Sequence, residues 1–308
     1  MQVIHASQVE SYLQWPQLAQ ALAHGHTLAR ARISDSFLTR GKDTLLLRSA
    51  WIDGLGMAVK VASIFPGNRA KELPSVQGNV MLYNDQTGAP EAMVDFDLVT
   101  RYKTVGDSYL AASRLARPDT KRVLIVGAGR IAGTALLAYQ QLFPEARFSV
   151  WNHRIEGARS LAAAFADVSV ASDLAQACTE ADLISCATLT HEPLICGQWL
   201  RPGQHVDLIG AFRADMREAD DVVLQRGEIF VDSRETTLSH IGELKIPLAA
   251  GVISEADIRA DFYDLDSGLF ARPSDEAITV FKNGGGAHLD LMTARYILDC
   301  YRAAAAKA

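Results

Sequence analysis

The sequence predicts an α/β protein: a doubly wound parallel sheet of the Rossmann type, preceded by an α+β domain that the C-terminal helix completes. Four apolar residues, 123–126, run into a glycine-rich turn and then into an apolar segment of helix length. Beyond this turn, apolar strands alternate with helical segments, which is typical of parallel sheets. The first third of the chain instead contains consecutive β-like segments.

Length and composition favour two globular domains. A chain of 308 residues exceeds what one compact core usually holds. The net charge of −6 gives no basic surface for nucleic acid, and the four cysteines lack the spacing of a metal or redox site, so no metal is expected. The sequence shows neither a signal peptide nor an apolar run long enough to cross a membrane, which predicts a cytoplasmic protein without a membrane partner.

Residues 1–117 are expected to form the first domain. Ser7 and Glu10 have the spacing of a capping box for a first helix, and Pro16 can begin a second helix. A longer helix is predicted from about Asp97 to Leu115, because apolar residues recur there at helical spacing. The β-like segments, which predict a small mixed or antiparallel sheet, are 44–47, 58–64 and 78–83.

Residues 118–278 are expected to form a dinucleotide-binding domain. Helices or short connections separate its apolar strands, which indicates parallel strands joined by crossovers. The closing segment 279–308 leaves this alternation, so we expect it to pack on the first domain and complete it. The predicted strands are 122–126, 148–151, 167–171, 183–188, 205–210 and 228–232.

The turn after the first of these strands has the G-x-G-x-x-A pattern of a dinucleotide site. Gly127 permits a tight turn, Gly129 lets the backbone approach a pyrophosphate, and Ala132 allows close packing of helix on strand. The phosphates would lie at the helix N-terminus, where we also expect Arg130 to contact the cofactor. The alternative is an ordinary turn of an α/β protein.

The end of the second strand indicates which dinucleotide binds. NAD enzymes usually carry an acidic residue here for the ribose 2′-hydroxyl, whereas this strand ends in Asn152, His153 and Arg154. Because a guanidinium can pair with a 2′-phosphate through a forked contact, NADP(H) is favoured, and NAD(H) stays open. The alternative for Arg154 is an ordinary solvated charge at the start of the next helix.

Thr188 and Gly210 follow two later strands, at the edge where parallel sheets bind ligands. We expect both to line the cofactor site by backbone approach, although a plain loop position fits their composition equally well. The complete set of expected cofactor-binding residues is Gly127, Gly129, Arg130, Ala132, Asn152, His153, Arg154, Thr188 and Gly210.

Longer motifs surround the glycine-rich turn. They are 60–68 (KVASIFPGN), 73–78 (LPSVQG), 100–104 (TRYKT), 216–218 (MRE) and 281–286 (FKNGGG). Together with the turn, they resemble the ornithine cyclodeaminase and mu-crystallin family over nearly the whole chain. The resemblance implies a Rossmann domain, an N-terminal substrate domain that also forms a homodimer, and chemistry on the α-carbon of a small amino or imino acid. Cyclodeamination, imine reduction and alanine oxidation are the activities it implies.

Departures from the family pattern bear on the activity. Family cyclodeaminases carry an Asp that serves the amine chemistry just after the strand ending at Gly210, whereas this chain has Phe212, which cannot accept a proton. The segments 283–288 (NGGGAH) and 65–68 (FPGN) look most like the family branch that reduces Δ1-pyrroline-2-carboxylate and Δ1-piperideine-2-carboxylate. The resemblance therefore implies an NADPH-dependent oxidoreductase that forms L-proline or L-pipecolate. The alternatives are ornithine cyclodeaminase, an NAD-dependent lyase, and a mu-crystallin-like binding protein for NADPH and a small ligand.

The resemblance implies that Lys60 lies beside the substrate, where its ammonium can hold the carboxylate or hydrogen-bond the imine region, and that either Lys60 or a water protonates the ring nitrogen. Lys103 is expected to bind the carboxylate, and both lysines are expected to act in catalysis. Lys103 stands where the family usually has Arg, which would replace a forked contact by a point charge. The alternatives are an edge-strand lysine for Lys60 and a solvated helix lysine for Lys103. Arg32 is the expected N-terminal carboxylate-binding arginine, although Arg40 fits the family pattern as well.

The last motif adds further candidates near the substrate. His288 and Asp290 are suited to substrate contact or to helix capping, and capping fits Asp290 better. The glycines 284–286 either let the chain pass close to the nicotinamide or form a flexible turn before the last helix.

Overall fold

The computed structural model describes residues 1–306, so Lys307 and Ala308 of the predicted closing segment lie outside the described residues. The chain divides into two compact units. The first unit comprises Met1–Lys103 and Gly286–Ala308, and the second unit comprises Thr104–Gly285. None of the helices within residues 1–306 is both long and apolar enough to span a lipid bilayer.

A six-stranded mixed sheet forms the framework of the first unit, as the β-like segments predict. The strand order is β1-β6-β5-β4-β3-β2, and β1 runs parallel to β6 while the other neighbours are antiparallel. The sequence indicated three of these strands and missed β1, β2 and β6. The bounds are β1 Gln2–Ile4, β2 Arg32–Arg40, β3 Asp43–Ile52, β4 Gly56–Ile64, β5 Val76–Tyr83 and β6 Pro90–Asp95.

The helices of the first unit cover one face of this sheet. Side chains of Ala50, Ala58, Ala62 and Val80 alternate onto this face and are buried, and the last helix, α10, packs against β3 and β4. Small alanines here leave room between sheet and helix for a longer side chain. The bounds are α1 Ala6–Val9, α2 Trp15–Thr27, α3 Phe96–Leu115, which crosses into the second unit, and α10 Ala287–Ala305.

The starts of the first two helices test the capping expectations. The capping box predicted at Ser7 and Glu10 is wrong, because the N-cap of α1 is His5, two residues before Ser7, and Gln8 Oε1 accepts the backbone N–H of His5 at 2.9 Å. Pro16 lies in the first turn of α2, as expected, since its missing N–H costs nothing there. The long helix predicted over 97–115 is confirmed as α3.

An eight-stranded, entirely parallel sheet forms the second unit and confirms the doubly wound prediction. Its strand order is β13-β12-β14-β11-β10-β7-β8-β9. The strands are β7 Arg122–Val126, β8 Arg147–Trp151, β9 Val168–Val170, β10 Leu183–Cys186, β11 His205–Leu208, β12 Glu228–Val231, β13 Ile258–Ala260 and β14 Thr279–Lys282. The helices are α4 Arg130–Leu142, α5 Ile155–Ala162, α6 Leu174–Glu180, α7 Asp221–Arg226, α8 Arg234–Thr237 and α9 Gly242–Ala249.

The predicted domain limits need two corrections. The segment from residue 279 does not leave the parallel sheet at once: β14 lies between β11 and β12, and all four of its residues are buried. Of the predicted closing segment, only the part that begins at Gly286 and contains α10 belongs to the first unit. The other limit falls at Lys103 rather than at residue 117, because the later part of α3 makes its polar contacts in the second unit. Ser108 Oγ, for example, donates to Asp207 Oδ1 at 2.8 Å.

Candidate active site

Residues 127–132, which we call the glycine turn, join the end of β7 to the first turn of α4. Gly127 has a φ of +115°, and a Cβ there would lie 2.6 Å from the carbonyl oxygen of Ala187. Its N–H donates to the carbonyl of Trp151 at 2.8 Å, which ties the turn to the end of β8. The turn therefore requires glycine at this position, both for its backbone angle and for the close approach of the next chain segment.

The start of α4 is open in the way an anion site needs. Gly129 is the N-cap residue, no side chain caps the helix, and the space where a Cβ of Gly129 would lie is empty to 4 Å. Arg130 begins the helix, and Ala132 is fully buried against the sheet. Because first-turn N–H groups have no partner inside a helix, this 13-residue helix fits the pyrophosphate of a dinucleotide.

A cavity of about 360 Å³ adjoins the glycine turn at the end of β8. Asn152 lines it and is held by a hydrogen bond from its Nδ2 to the carbonyl of Arg154 at 2.7 Å. Arg154 also lines it, whereas His153 is exposed and is not among its lining residues. Glu156 lies on the same wall, so the cavity offers one cation and one carboxylate. The full lining is Ala128, Gly129, Asn152, Arg154, Glu156 and Gly157.

Thr188 and Gly210 are joined by a carboxylate that the sequence analysis did not single out. Glu218 is fully buried, and its Oε1 accepts both the backbone N–H and the hydroxyl of Thr188 at 2.8 Å each. Its Oε2 accepts the N–H of Gly210 at 2.6 Å. A Cβ at Gly210 would lie 1.9 Å from the carbonyl oxygen of Thr188, so the two strand ends are in direct contact.

A second buried carboxylate supports the first. Glu243, on α9, accepts the backbone N–H groups of Glu218 at 2.7 Å and of Ala219 at 3.0 Å. Burial and then the negative charge of Glu218 raise the pKa of Glu243 to about 7, against the opposing effect of Lys282. The Lys282 ammonium donates to the carbonyls of Leu208 and Asn283, both at 2.7 Å, at the ends of β11 and β14.

Lys60 lies on β4, in the interior of the six-stranded sheet, so the edge-strand interpretation is wrong. It is 7% exposed, and its Nζ donates to Asp290 Oδ1 and to Thr100 Oγ1, both at 2.8 Å. The ring centroid of Phe96 lies 4.7 Å from the same nitrogen. Asp290 therefore forms a buried ion pair instead of the expected helix cap.

Two further cations accompany this pair. Arg48 on β3 is directly opposite Lys60 in the sheet register, and its guanidinium holds Asp35 through three hydrogen bonds of 2.6–3.0 Å. Burial alone would raise the pKa of Asp290, but the charges of Lys60, Lys103 and Arg48 outweigh it and hold that pKa below its ordinary value. We call Arg48, Lys60, Lys103 and Asp290 the Lys60 cluster.

His288 is buried beside this cluster. Burial, followed by the charges of His26, Lys103 and Arg48, lowers the pKa of His288 well below its ordinary value, so its ring is neutral. The rings of His26 and His288 meet edge to face at 5.4 Å between centroids. The Nε2 of His288 and the Oδ2 of Asp290 are buried without a hydrogen-bond partner among residues 1–306. Such atoms suit a polar ligand, because leaving them unpaired is costly.

The structure does not bring Arg32 to this cluster. Its register partner is Trp51, one position out of phase with the pairing of Arg48 and Lys60, so Arg32 points to the opposite face of the sheet. Its side chain is 73% exposed and lies 3.6 Å from Asp53. Arg48 is the arginine that the structure places beside Lys60, and the sequence analysis missed it because the predicted segment 44–47 ends one residue before Arg48, whereas β3 continues to Ile52.

The remaining sequence motifs have defined places in the second unit. Phe212, in the acid position of the cyclodeaminases, is 62% exposed beyond the end of β11. The glycines 284–286 are held rather than flexible: Gly285 N–H donates to Asp232 Oδ2 at 2.6 Å, and a Cβ at Gly284 would lie 2.2 Å from Thr237 Oγ1. Over the described part of the chain, no group of three or more His, Cys, Asp or Glu side chains could hold a metal ion.

Known proteins resemble the chain along almost its entire length. The model of the ornithine cyclodeaminase/mu-crystallin family matches residues 23–305. The chain is 50% identical over 291 residues to Delta(1)-pyrroline-2-carboxylate reductase of Paracoccus denitrificans, with 92% of each protein covered. It is 32% identical over 247 residues to the ketimine reductase mu-crystallin of Mus musculus, covering 80% of this chain and 76% of that protein.

Solved structures share the fold of the whole chain. The Delta(1)-pyrroline-2-carboxylate reductase of Thermococcus litoralis, in complex with NADH and L-proline, superposes with a TM-score of 0.90 at 26% identity and covers 99% of this chain and 98% of its own. An archaeal alanine dehydrogenase dimer with bound NAD gives a TM-score of 0.89 at 25% identity, with 99% and 97% covered.

Proposed function

Because the chain belongs to the ornithine cyclodeaminase/mu-crystallin family, we propose that it reduces a cyclic α-imino acid, Δ1-pyrroline-2-carboxylate or Δ1-piperideine-2-carboxylate, with NADPH. The protein is an NAD(P)-dependent oxidoreductase acting on a C=N bond. Its products would be L-proline or L-pipecolate. The observation that carries this proposal is the Lys60 cluster, in which the buried Lys60–Asp290 ion pair is accompanied by the half-buried cations Arg48 and Lys103, a concentration of positive charge that suits a small anionic substrate.

The Lys60 cluster supplies both carboxylate binding and a proton. An ammonium has three N–H donors, of which Lys60 gives one to Thr100 and one to Asp290, leaving the third for a substrate. We assign the third to the ring nitrogen of the imine, which becomes more electrophilic at carbon when it accepts a proton. Arg48 and Lys103 hold the carboxylate, and the neutral His288 offers its Nε2 to the same ligand.

The second unit holds the cofactor, which when bound supplies a hydride to the imine carbon. The glycine turn and the N-terminus of α4 receive the pyrophosphate, and the cavity at the end of β8 receives the adenosine half. NADPH is favoured over NADH because the strand end lacks an acid and Arg154 can pair with the 2′-phosphate. Glu156 follows Arg154 by two residues and lines the same cavity, so its carboxylate opposes this preference in part.

A homodimer and a cytoplasmic location are part of the same proposal. A homodimer would bury the face of the six-stranded sheet that Arg32 shares with the cross-strand row Trp51, Met57 and Tyr83, where a groove of about 470 Å³ lies open. Trp51→Glu should then convert the dimer to monomers in analytical ultracentrifugation. We place the reaction in the cytoplasm.

A substrate panel tests the proposal. NADPH oxidation should be fast with pyrroline-2-carboxylate or piperideine-2-carboxylate and slow with pyruvate plus ammonia. Ornithine with NAD should release no ammonia, because Phe212 cannot act as the base. Robust ammonia release from ornithine would instead favour a cyclodeaminase. Binding of NADPH without turnover of any imine would favour the mu-crystallin-like binding protein.

A further inference from the structure

Glu218 is the last residue of the 216–218 motif, and the proposed chemistry gives its buried carboxylate no role. It is fully buried, and both of its oxygens are occupied by donors from two different strand ends: Thr188 after β10 and Gly210 after β11. A buried carboxylate is costly unless several donors satisfy it, and here three donors from two strand ends do so.

The order of strands shows where this geometry matters. The sheet runs β8-β7-β10-β11, with the adenosine-side cavity at the end of β8 and the glycine turn at the end of β7. A dinucleotide whose pyrophosphate crosses the end of β7 must therefore extend its nicotinamide half over the ends of β10 and β11. These are the ends that Glu218 joins.

The same contacts reach the glycine turn itself. A Cβ at Gly127 would lie 3.4 Å from the methyl group of Thr188, so any displacement of Thr188 changes the space beside the turn. Glu243 fixes the backbone of Glu218 from the opposite side through two N–H groups. The brace therefore runs from α9 through Glu218 to both strand ends.

From these contacts we propose that Glu218 is a positioning residue for the nicotinamide half of the cofactor. This inference rests on the proposed dinucleotide-dependent function. Glu218 does not touch the reacting atoms; it sets the separation of Thr188 and Gly210, and thereby the surface against which the nicotinamide ring lies. Its loss should disturb the nicotinamide half while leaving the adenosine half unaffected.

Glu218→Gln is the sharpest test because it keeps the size of the side chain. A carboxylate accepts on both oxygens, whereas an amide accepts on one side and donates on the other, so one backbone N–H of Thr188 or Gly210 must face an NH₂ group. We expect NADPH to bind about tenfold or more weakly. Binding of 2′,5′-ADP, which carries only the adenosine half, should change by less than about twofold.

A second readout reports the orientation of the ring. Two samples of NADPH would be used, each deuterated on a different face of C4. The native protein should transfer deuterium from only one of the two samples, whereas Glu218→Gln should transfer it from both. The matched control is Glu192→Gln, an exposed acid on the segment that follows Thr188, which should change neither affinity nor facial selectivity.

The outcomes separate this inference from the proposed function. Equal weakening of NADPH and 2′,5′-ADP, or an unchanged NADPH affinity with single-face transfer, would overturn the role of Glu218 while leaving imine reduction intact. If the native protein binds NADPH but reduces no imine, the proposed function fails. The affinities of the native protein and Glu218→Gln for NADPH and 2′,5′-ADP would then still test whether Glu218 positions the nicotinamide half. Should Glu218→Gln not fold, Thr188→Val removes one donor to the same carboxylate, and the same split in affinity must appear or the inference is overturned.

Discussion

The glycine turn and the Lys60 cluster are built in opposite ways. The glycine turn presents backbone, and its key positions are defined by the absence of a side chain at Gly127 and Gly129. The Lys60 cluster presents charged side chains that are distant in the sequence; Lys60 and Asp290, for example, are 230 positions apart. Binding at the first should therefore survive most charge substitutions, whereas binding at the second should depend on each charge.

Lys60→Ala should separate the two regions most strongly. Loss of the ammonium removes the proposed proton donor, so kcat/KM for imine reduction should fall by about 10²- to 10⁴-fold. NADPH affinity should stay within about twofold, because the glycine turn lies in the other unit. Steady-state kinetics and isothermal titration calorimetry measure the two quantities.

The buried Asp290 left by this change needs its own control. An unpaired buried carboxylate destabilises a protein by about 3–5 kcal/mol, so Lys60→Met combined with Asp290→Leu should recover stability without recovering activity. Lys42→Ala, an exposed lysine of the same unit, should change neither. Native kcat/KM in a folded Lys60→Ala protein would remove Lys60 from the site.

Arg154→Ala should produce the reverse pattern. If Arg154 pairs with the 2′-phosphate, NADPH affinity should fall by about 1–3 kcal/mol, roughly 5- to 150-fold, while NADH affinity is unchanged. Arg159→Ala, an exposed arginine on the following helix, is the matched control. Equal dissociation constants for NADPH and NADH in the native protein would contradict the cofactor assignment.

Lys103 offers a finer comparison within the cluster. Lys103→Ala should lower kcat/KM by about tenfold, a loss expected for one charge-assisted contact, with NADPH affinity retained. Lys103→Arg keeps the charge and offers a forked contact, so its kcat/KM should exceed that of Lys103→Ala. Identical losses in both variants would mean that the site needs the lysine for something other than its charge.

The smallest expected effect concerns Glu243, the carboxylate that accepts the backbone N–H groups of Glu218 and Ala219. Burial raises the pKa of Glu243 to about 7 from an ordinary 4.5, so the folded protein binds this proton more tightly than the unfolded chain. The resulting stability is present below about pH 4.5 and is lost as the pH rises towards 7, by at most about 1.4 kcal/mol per pH unit. Relative to Glu243→Gln, the native protein should therefore lose stability over this window in urea titrations.

An exposed acid provides the reference for that pH dependence. Glu255→Gln should show the same slope as the native protein between pH 5 and 7, because this side chain is exposed. If Glu243→Gln also kept the native slope, the carboxyl of Glu243 would not titrate in this range.

The two regions also differ in how far the sequence reveals them. The glycine turn is local: strand, turn and helix follow one another, so the requirement for Gly127 and the open start of α4 could be predicted. The Lys60 cluster depends on sheet register. β2 carries mostly exposed residues with no apolar alternation, so the register of Arg32 could not be foreseen. The predicted segment 44–47 ended before Arg48, so its pairing with Lys60 was missed as well.

Two further differences have similar causes. In the sequence, β14 is only a short apolar segment that precedes glycines. Its place between β11 and β12 depends on pairing with strands about 50 to 75 positions earlier, which the local sequence does not reveal. Glu218 is a single acid whose partners lie 30 and 8 positions away, so no spacing in the sequence reveals its role.

The most direct test is to follow the hydride itself. The native protein would be incubated with pyrroline-2-carboxylate and NADPH carrying deuterium on both faces of C4, and the product analysed by chiral chromatography and mass spectrometry. We expect L-proline carrying deuterium at the α-carbon, in amounts equal to the NADP⁺ formed. Unlabelled proline, or NADPH binding with no proline at all, would contradict the assignment of the glycine turn and the Lys60 cluster to one reduction.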